Sequence, residues 1–192
     1  MDLPERRLKV LIVSSQPKFN ESLLKLTAER RRFSCTLETG AGSAKRRLNE
    51  MRFDIIIINM PLSDDDGVRF AIDRCSGSES AVMLIVRNDS YAEVFAKVCP
   101  YGVFTLPKPS STQMVMQAFD WLECSAERMS RMRKSTVSLE EKMAEIRLVN
   151  RAKWLLISEQ GMTEEQAHRF IEKQAMDKCV TKRRIAEEIL SK

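Results

Sequence analysis

No proline follows Pro109 in this chain of 192 residues, and only one glycine, Gly161, lies beyond it. Proline removes a backbone donor and clashes with the preceding turn, and glycine is the other common helix breaker. Nothing between Ser110 and Gln160 therefore stops a helix, and the stretch predicts one about 50 residues long. Read at 3.5-residue spacing, it presents Val115, Ala118, Leu122, Ser125, Met129, Met132, Thr136, Leu139, Met143, Ile146 and Asn150, eight of them apolar. A small domain cannot cover a stripe of that length. The expected cover is a second copy of the chain in a coiled coil, with Val115, Leu122, Met129, Met132, Leu139, Met143 and Ile146 as the dimer seam and Asn150 setting register. The alternative is a helix folded back on the preceding domain.

Upstream the period changes. Short β-branched or aliphatic runs at Val10–Val13, Phe33–Thr39, Ile55–Ile58, Val82–Val86 and Val103–Leu106 alternate with segments of helical spacing, such as Phe19, Leu23, Leu24 and Leu26. Five strands alternating with helices predict a doubly wound parallel sheet, an α/β domain. Its central runs are apolar throughout, as strands covered on both faces require. Downstream, Gly161 suits a helix C-terminus, Thr163 to Gln166 fit a capping box, and Thr181 suits the N-cap of a final helix with Ile185, Ala186, Ile189 and Leu190 inward. The expected organisation is a sheet domain over 1–122, a coiled-coil linker over 123–138 and a three-helix unit over 139–192, so α/β plus all-α.

Composition narrows the chemistry. A single histidine, His168, excludes a His-based triad or a His-rich metal site in one chain, and it is expected to face solvent. Five cysteines without a C-x-x-C pair argue for reduced thiols. No apolar run reaches the ~20 residues that span a bilayer, and the charged N-terminus lacks a signal-peptide core. A cytoplasmic protein follows, with no membrane partner. No glycine-rich phosphate loop, metal-ligand spacing or nucleophile–base pair is visible, so no enzyme, cofactor or metal is expected. The net charge of +5 is unevenly placed: from Cys124 onward there are 15 Lys and Arg against 11 Asp and Glu.

The run Asp54-Ile55-Ile56-Ile57-Ile58-Asn59-Met60-Pro61-Leu62, then Asp66-Gly67, and Lys108-Pro109 after the fifth strand resemble the receiver domain of two-component response regulators over residues ~8–122. The resemblance implies a pocket at the C-terminal ends of the strands. There the family uses a phospho-accepting Asp, an acidic pair for Mg²⁺, a hydroxyl and a Lys. This sequence has Asn59 at the acceptor position, Ser14 and Ser15 at the acidic pair and Val86 at the hydroxyl position; only Lys108 matches. A carboxamide cannot form an acyl phosphate, so a pseudo-receiver that is not phosphorylated is expected. Asp64, Asp65 and Asp66 read as a solvated acidic loop with which Lys108 could pair, and Lys108-Pro109 could be a cis peptide.

Further on stand Ala152-Lys153-Trp154-Leu155-Leu156-Ile157, Gly161 to Ala167, Gln174-Ala175-Met176-Asp177 and Ile185-Ala186-Glu187-Glu188-Ile189-Leu190. These resemble the ANTAR domain, the RNA-binding output module of antitermination regulators. The resemblance implies a dimer that holds paired stem-loops in a nascent transcript and so prevents a terminator hairpin. Arg147, Arg151, Lys153, Lys178, Lys182, Arg183 and Arg184 are the candidate RNA contacts, as phosphate-neutralising cations. Ala152, Ala167, Ala175, Met176 and Ala186 are expected in the core, and Trp154, larger than the family's usual residue, is expected to pack on or cap the bundle. Two other classes remain: a DNA-binding regulator using the last helix, and a non-catalytic scaffold with the receiver-like domain as docking face. A regulatory protein partner is the expected switch.

Overall fold

The computed structural model describes residues 6–191 except 29, 31 and 78. Five strands, β1 (Leu8–Val13), β2 (Phe33–Glu38), β3 (Ile55–Asn59), β4 (Ala81–Arg87) and β5 (Phe104–Lys108), form one parallel sheet in the order β2-β1-β3-β4-β5. Helices α1 (Pro17–Ala28), α2 (Ala41–Glu50), α3 (Val68–Gly77) and α4 (Tyr91–Val98) connect them. α5 (Thr112–Gln160), α6 (Glu164–Asp177) and α7 (Lys182–Leu190) follow. The chain divides into two compact units, Met1–Met132 and Arg133–Lys192.

Alternation along the strands builds two cores from one sheet, since successive side chains point to opposite faces. Leu11, Val13, Ile56, Ile58, Leu84 and Val86 pack with Ala44 of α2, Phe70 of α3 and Val94 of α4. Leu8, Val10, Ile12, Ile55, Ile57 and Met83 pack on the other face with Leu23 of α1 and with Ala118, Phe119, Leu122 and Ala126 of α5. β1, β3 and β4 are thus covered on both sides, which is why their buried stretches Val10–Val13, Ile55–Ile58 and Ala81–Val86 are apolar without a break. Proline is tolerated in β5 at Pro107 because β5 is an edge strand.

The first turns of α5 are fastened to this unit by two arginines. Arg30 lies between the rings of Phe33 and Phe119, 5.7 and 5.8 Å from their centroids, and pairs with Asp120 at 2.7 Å. Arg32 pairs with Glu123 at 2.5 Å and Glu127 at 2.8 Å. This corrects the expected dimer seam at its start. Leu122 is fully buried and Val115 partly buried in the sheet unit's own core. The helical period that brings Ala118, Phe119, Leu122 and Ala126 onto one face aims that face at the sheet.

In the second unit Ala152 and Leu156 of α5, Ala167, Ile171 and Ala175 of α6, and Ile185 and Ala186 of α7 form a small core. The small side chains let the helices approach closely. Gly161 ends α5 with φ +64, a left-handed backbone that favours glycine. Thr163 and Gln166 complete the capping box of α6: the Thr163 hydroxyl accepts from Gln166 N at 3.2 Å, and Gln166 Oε1 accepts from Thr163 N at 2.9 Å. Thr181 caps α7 by accepting from Arg184 N. Met176, expected in the core, and Trp154, expected to pack on or cap the bundle, are both exposed. Trp154 is 71% exposed and Met176 78% exposed. Each follows the inward face of its helix at the wrong angle, Met176 one residue past Ala175 and Trp154 two past Ala152. His168 is exposed, 3.3 Å from Glu172. Among the described residues no helix is long and apolar enough to cross a membrane.

The acidic loop after β3 has structural work. Gly40, the N-cap of α2, has no side chain to satisfy the helix's free donors. Asp64 does so from outside: Oδ1 accepts from Ala41 N and Oδ2 from Gly42 N, both at 2.8 Å. A Cβ at Gly40 would lie 2.6 Å from Asp64 Oδ1, so this approach requires glycine. Asp65 and Asp66 accept from Gly67 N and Val68 N. The Gly42 and Ala41 amides hold the Asp64 carboxyl below its ordinary range. Asp64→Ala is expected to cost about 1 kcal/mol, the usual worth of a helix N-cap. Because the native pKa is lowered, that contribution is fully present above the unfolded value of about 4 and fades as pH falls through the native one. Urea unfolding of both proteins from pH 7 to pH 3 should show the gap closing on acidification.

Candidate functional site

Two places carry the candidate residues. The first is the pocket at the C-terminal ends of the strands. Ser14 follows β1 and is fully buried, while Ser15 is exposed. Asn59 ends β3, fully buried. Lys108 ends β5, two strands away, and its ammonium reaches back across β4.

Three of the five expected pocket residues are joined directly. Lys108 Nζ donates to Asn59 Oδ1 at 2.6 Å and to the Met60 carbonyl. Asn59 Nδ2 donates to Ser14 Oγ at 3.0 Å and to Gln16 Oε1 at 3.3 Å. Ser14 Oγ also accepts from Gln16 N, and its carbonyl accepts from Asn20 Nδ2. Lys108 does not pair with the acidic loop, as had been an expectation; Asn59 and Met60 lie within its reach, and Asp64 is committed to α2. Gln16 was missed because a glutamine at the start of a helix carries no motif signal. Val86 is buried on β4 opposite Pro107 and brings no hydroxyl, and Ser15 turns outward. The peptides Met60-Pro61 and Lys108-Pro109 are both cis.

The electrostatics match this geometry. Burial, with some help from Arg87, pushes the Lys108 ammonium below the ordinary lysine range. Its partners are neutral oxygens. Mg²⁺ prefers carboxylate oxygens, and the residues here do not fit it: the acidic-pair positions are serines, the acceptor is a carboxamide, and a lysine already occupies the carboxamide oxygen. The pocket joins one cation, Lys108, to neutral hydrogen-bonding groups of Asn59, Met60, Ser14 and Gln16.

The second place is the surface of the C-terminal unit. Lys178 pairs with Glu188 at 2.7 Å, Lys182 with Glu172 at 2.5 Å, and Arg183 with Glu187 at 3.1 Å. Arg184 lies 3.9 Å from Glu187 and 3.8 Å from Glu188. Lys153 is mostly covered, 3.3 Å from Glu164. Lys182 holds the Glu172 carboxyl below its usual range, with His168 adding to the effect. Arg147 and Arg151, both exposed on α5, have no side-chain partner among the described residues. The seven candidate cations therefore divide into five that face carboxylates and two that do not. Met176 borders an open groove of about 580 Å³, lined also by Glu145, Val180 and Lys182.

Comparison with known proteins agrees with this two-part geometry. Residues 138–190 match the ANTAR domain. The transcriptional regulatory protein PdtaR of Mycobacterium tuberculosis is 26% identical over 184 residues, spanning 95% of this chain and 89% of that protein. Among solved structures, the signal receiver domain of an HD domain-containing protein from Pseudomonas fluorescens Pf-5 superposes with a TM-score of 0.59 at 20% identity, covering 70% of this chain and 97% of that one. A structure described as adenylate cyclase from Rhodopirellula baltica gives 0.60 at 14% identity, covering 70% and 98%. At such identities the likeness shows a shared fold alone. The N-terminal unit has the receiver fold, and an ANTAR domain follows it.

The pocket chemistry yields a direct test. Incubation of the chain with acetyl phosphate and Mg²⁺ is expected to leave its intact mass unchanged. A gain of one hydroxylamine-labile phosphate, on another carboxylate such as Asp64, Asp65 or Asp66, would contradict the reading of this unit as one that is not phosphorylated.

Proposed function

We propose that this chain, with an ANTAR domain at residues 138–190, is a non-enzymatic regulator that binds paired stem-loops in a nascent leader transcript. Holding the stem-loops blocks a competing terminator hairpin, so that polymerase reads through. The observation that carries this reading is the ANTAR match itself. The excess of 15 basic over 11 acidic residues from Cys124 onward supports it, because phosphate contacts supply affinity and salt dependence.

The protein acts as a homodimer in the cytoplasm. Met132, Leu139, Met143 and Ile146 are 59, 60, 48 and 59% exposed along α5. A run of large apolar side chains at coiled-coil spacing is costly to leave in water, and a second α5 covers it. The receiver-like unit is not switched by phosphorylation; a protein partner docked on it controls output.

Gel shifts with the leader transcript and with duplex DNA of the same sequence separate the readings. Binding to the hairpins is expected, and binding to the duplex alone would make this a DNA-binding regulator. Replacing Lys182, Arg183 and Arg184 together with Ala should weaken RNA binding and reduce its salt slope. An unchanged slope would favour a scaffold.

Sedimentation at several concentrations tests the dimer. Leu139→Lys should weaken association while leaving the sheet unit's stability intact. Leu122→Ala should do the reverse, costing about 2–5 kcal/mol of unfolding free energy as a buried large-to-small change.

A further inference from the structure

We propose that Trp154, flanked by Arg147 and Arg151, is a stacking site for an unpaired RNA base; this rests on the RNA-binding reading above. Trp154 is 71% exposed in the middle of a continuous helix, where nothing in its own unit covers it. Arg147 and Arg151 precede it by seven and three residues, so at 3.6 residues per turn all three lie on one strip of α5. These two arginines are the candidate cations with no side-chain partner among the described residues, whereas Lys153, Lys178, Lys182, Arg183 and Arg184 each face a carboxylate. A flat indole beside two uncommitted guanidinium groups matches a base with its flanking phosphates. Every base has a π-face, and the arginines supply the countercharge.

The strip flanks the proposed dimer seam without being part of it. Continuing the 3.5-residue spacing past Asn150 reaches Lys153 and Ile157, with Trp154 beside that line on the side of Arg147 and Arg151. It is also distinct from the unit's core, which Ala152 and Leu156 face. The site belongs to this sequence in particular, since Trp154 stands where the resemblance calls for a smaller residue. Sequence reading in RNA falls on splayed, unpaired bases. Trp154 therefore contacts a loop nucleotide, and the stem is held elsewhere.

The test uses the full chain carrying Trp121→Phe, so that Trp154 is the one tryptophan and is excited selectively at the red edge of indole absorption. The probe is the tightest binder selected from a pool of RNAs with two adjacent stem-loops and randomised loops. RNA binding is expected to quench Trp154 emission. Trp154→Ala should weaken binding about ten- to one-hundred-fold with an unchanged salt slope, and Trp154→Phe should recover most of the loss. Making the stacked loop position abasic should weaken the Trp154 protein and leave Trp154→Ala unaffected. Arg147→Ala with Arg151→Ala should reduce the salt slope by about one to two. Equal binding by Trp154→Ala with no quenching would overturn the stacking site while leaving RNA binding in place. An emission shift that follows protein concentration without RNA would also overturn it, showing a second copy over Trp154. Selection that recovers no binding RNA would overturn the RNA reading, and the stacking site with it.

Discussion

One helix has to satisfy two separate apolar cores. The start of α5 buries Ala118, Phe119, Leu122 and Ala126 against the sheet, and its end buries Ala152 and Leu156 with α6 and α7. Neither core would be complete without it. Arg30 and Arg32 hold the start in place through aromatic faces and through Asp120, Glu123 and Glu127. Exposed ion pairs contribute little. Arg30 is different in kind, because its side chain is only 17% exposed and lies against two rings that shield its charge from water. Along the helix Met132, Leu139, Met143 and Ile146 are exposed. The absence of helix breakers after Pro109 lets one continuous element contribute to both cores.

The receiver fold delivers the ends of β1, β3 and β5 to one place, where Ser14, Asn59 and Lys108 are joined by hydrogen bonds. Asn59 differs from aspartate by one group, yet the carboxamide donates as well as accepts. It can therefore bridge Ser14 and Gln16 on one side and Lys108 on the other. An aspartate there could still accept from the Ser14 hydroxyl, but it would have no hydrogen to give the Gln16 carbonyl oxygen. Lys108, which a phosphoryl oxygen would otherwise attract, is satisfied by neutral oxygens within the chain.

Much of the fold was legible in the residues. Unbroken aliphatic runs marked the buried strands, and capping chemistry marked the starts of α6 and α7, because both signals act locally. The candidate site was legible to a lesser degree. Ser14, Asn59 and Lys108 were found through motif positions, whereas Gln16 had no such signal and joins the network only because the start of α1 folds over the end of β1. The acidic loop read as solvated, yet Asp64 caps a helix that begins 23 residues before it. Val115 and Leu122 read as seam, since a 3.5-residue period cannot tell a partner helix from a sheet of the same chain. Met176 read as core and Trp154 as packed on or capping the bundle because size and apolarity suggest burial, and only the angle each takes around its helix decides.

By itself, the sequence determined the order of elements, the parallel sheet, the long helix, its stops and caps, and the carboxamide at Asn59. These follow from backbone propensity and side-chain chemistry, which neighbours in the chain suffice to express. Tertiary structure decided which partners each group meets: which part of the α5 stripe is spent inside the chain, which cations are already answered by glutamates, and which aromatic ring stands free. Those outcomes depend on groups far apart in sequence competing for the same contacts, and a one-dimensional pattern does not record that competition.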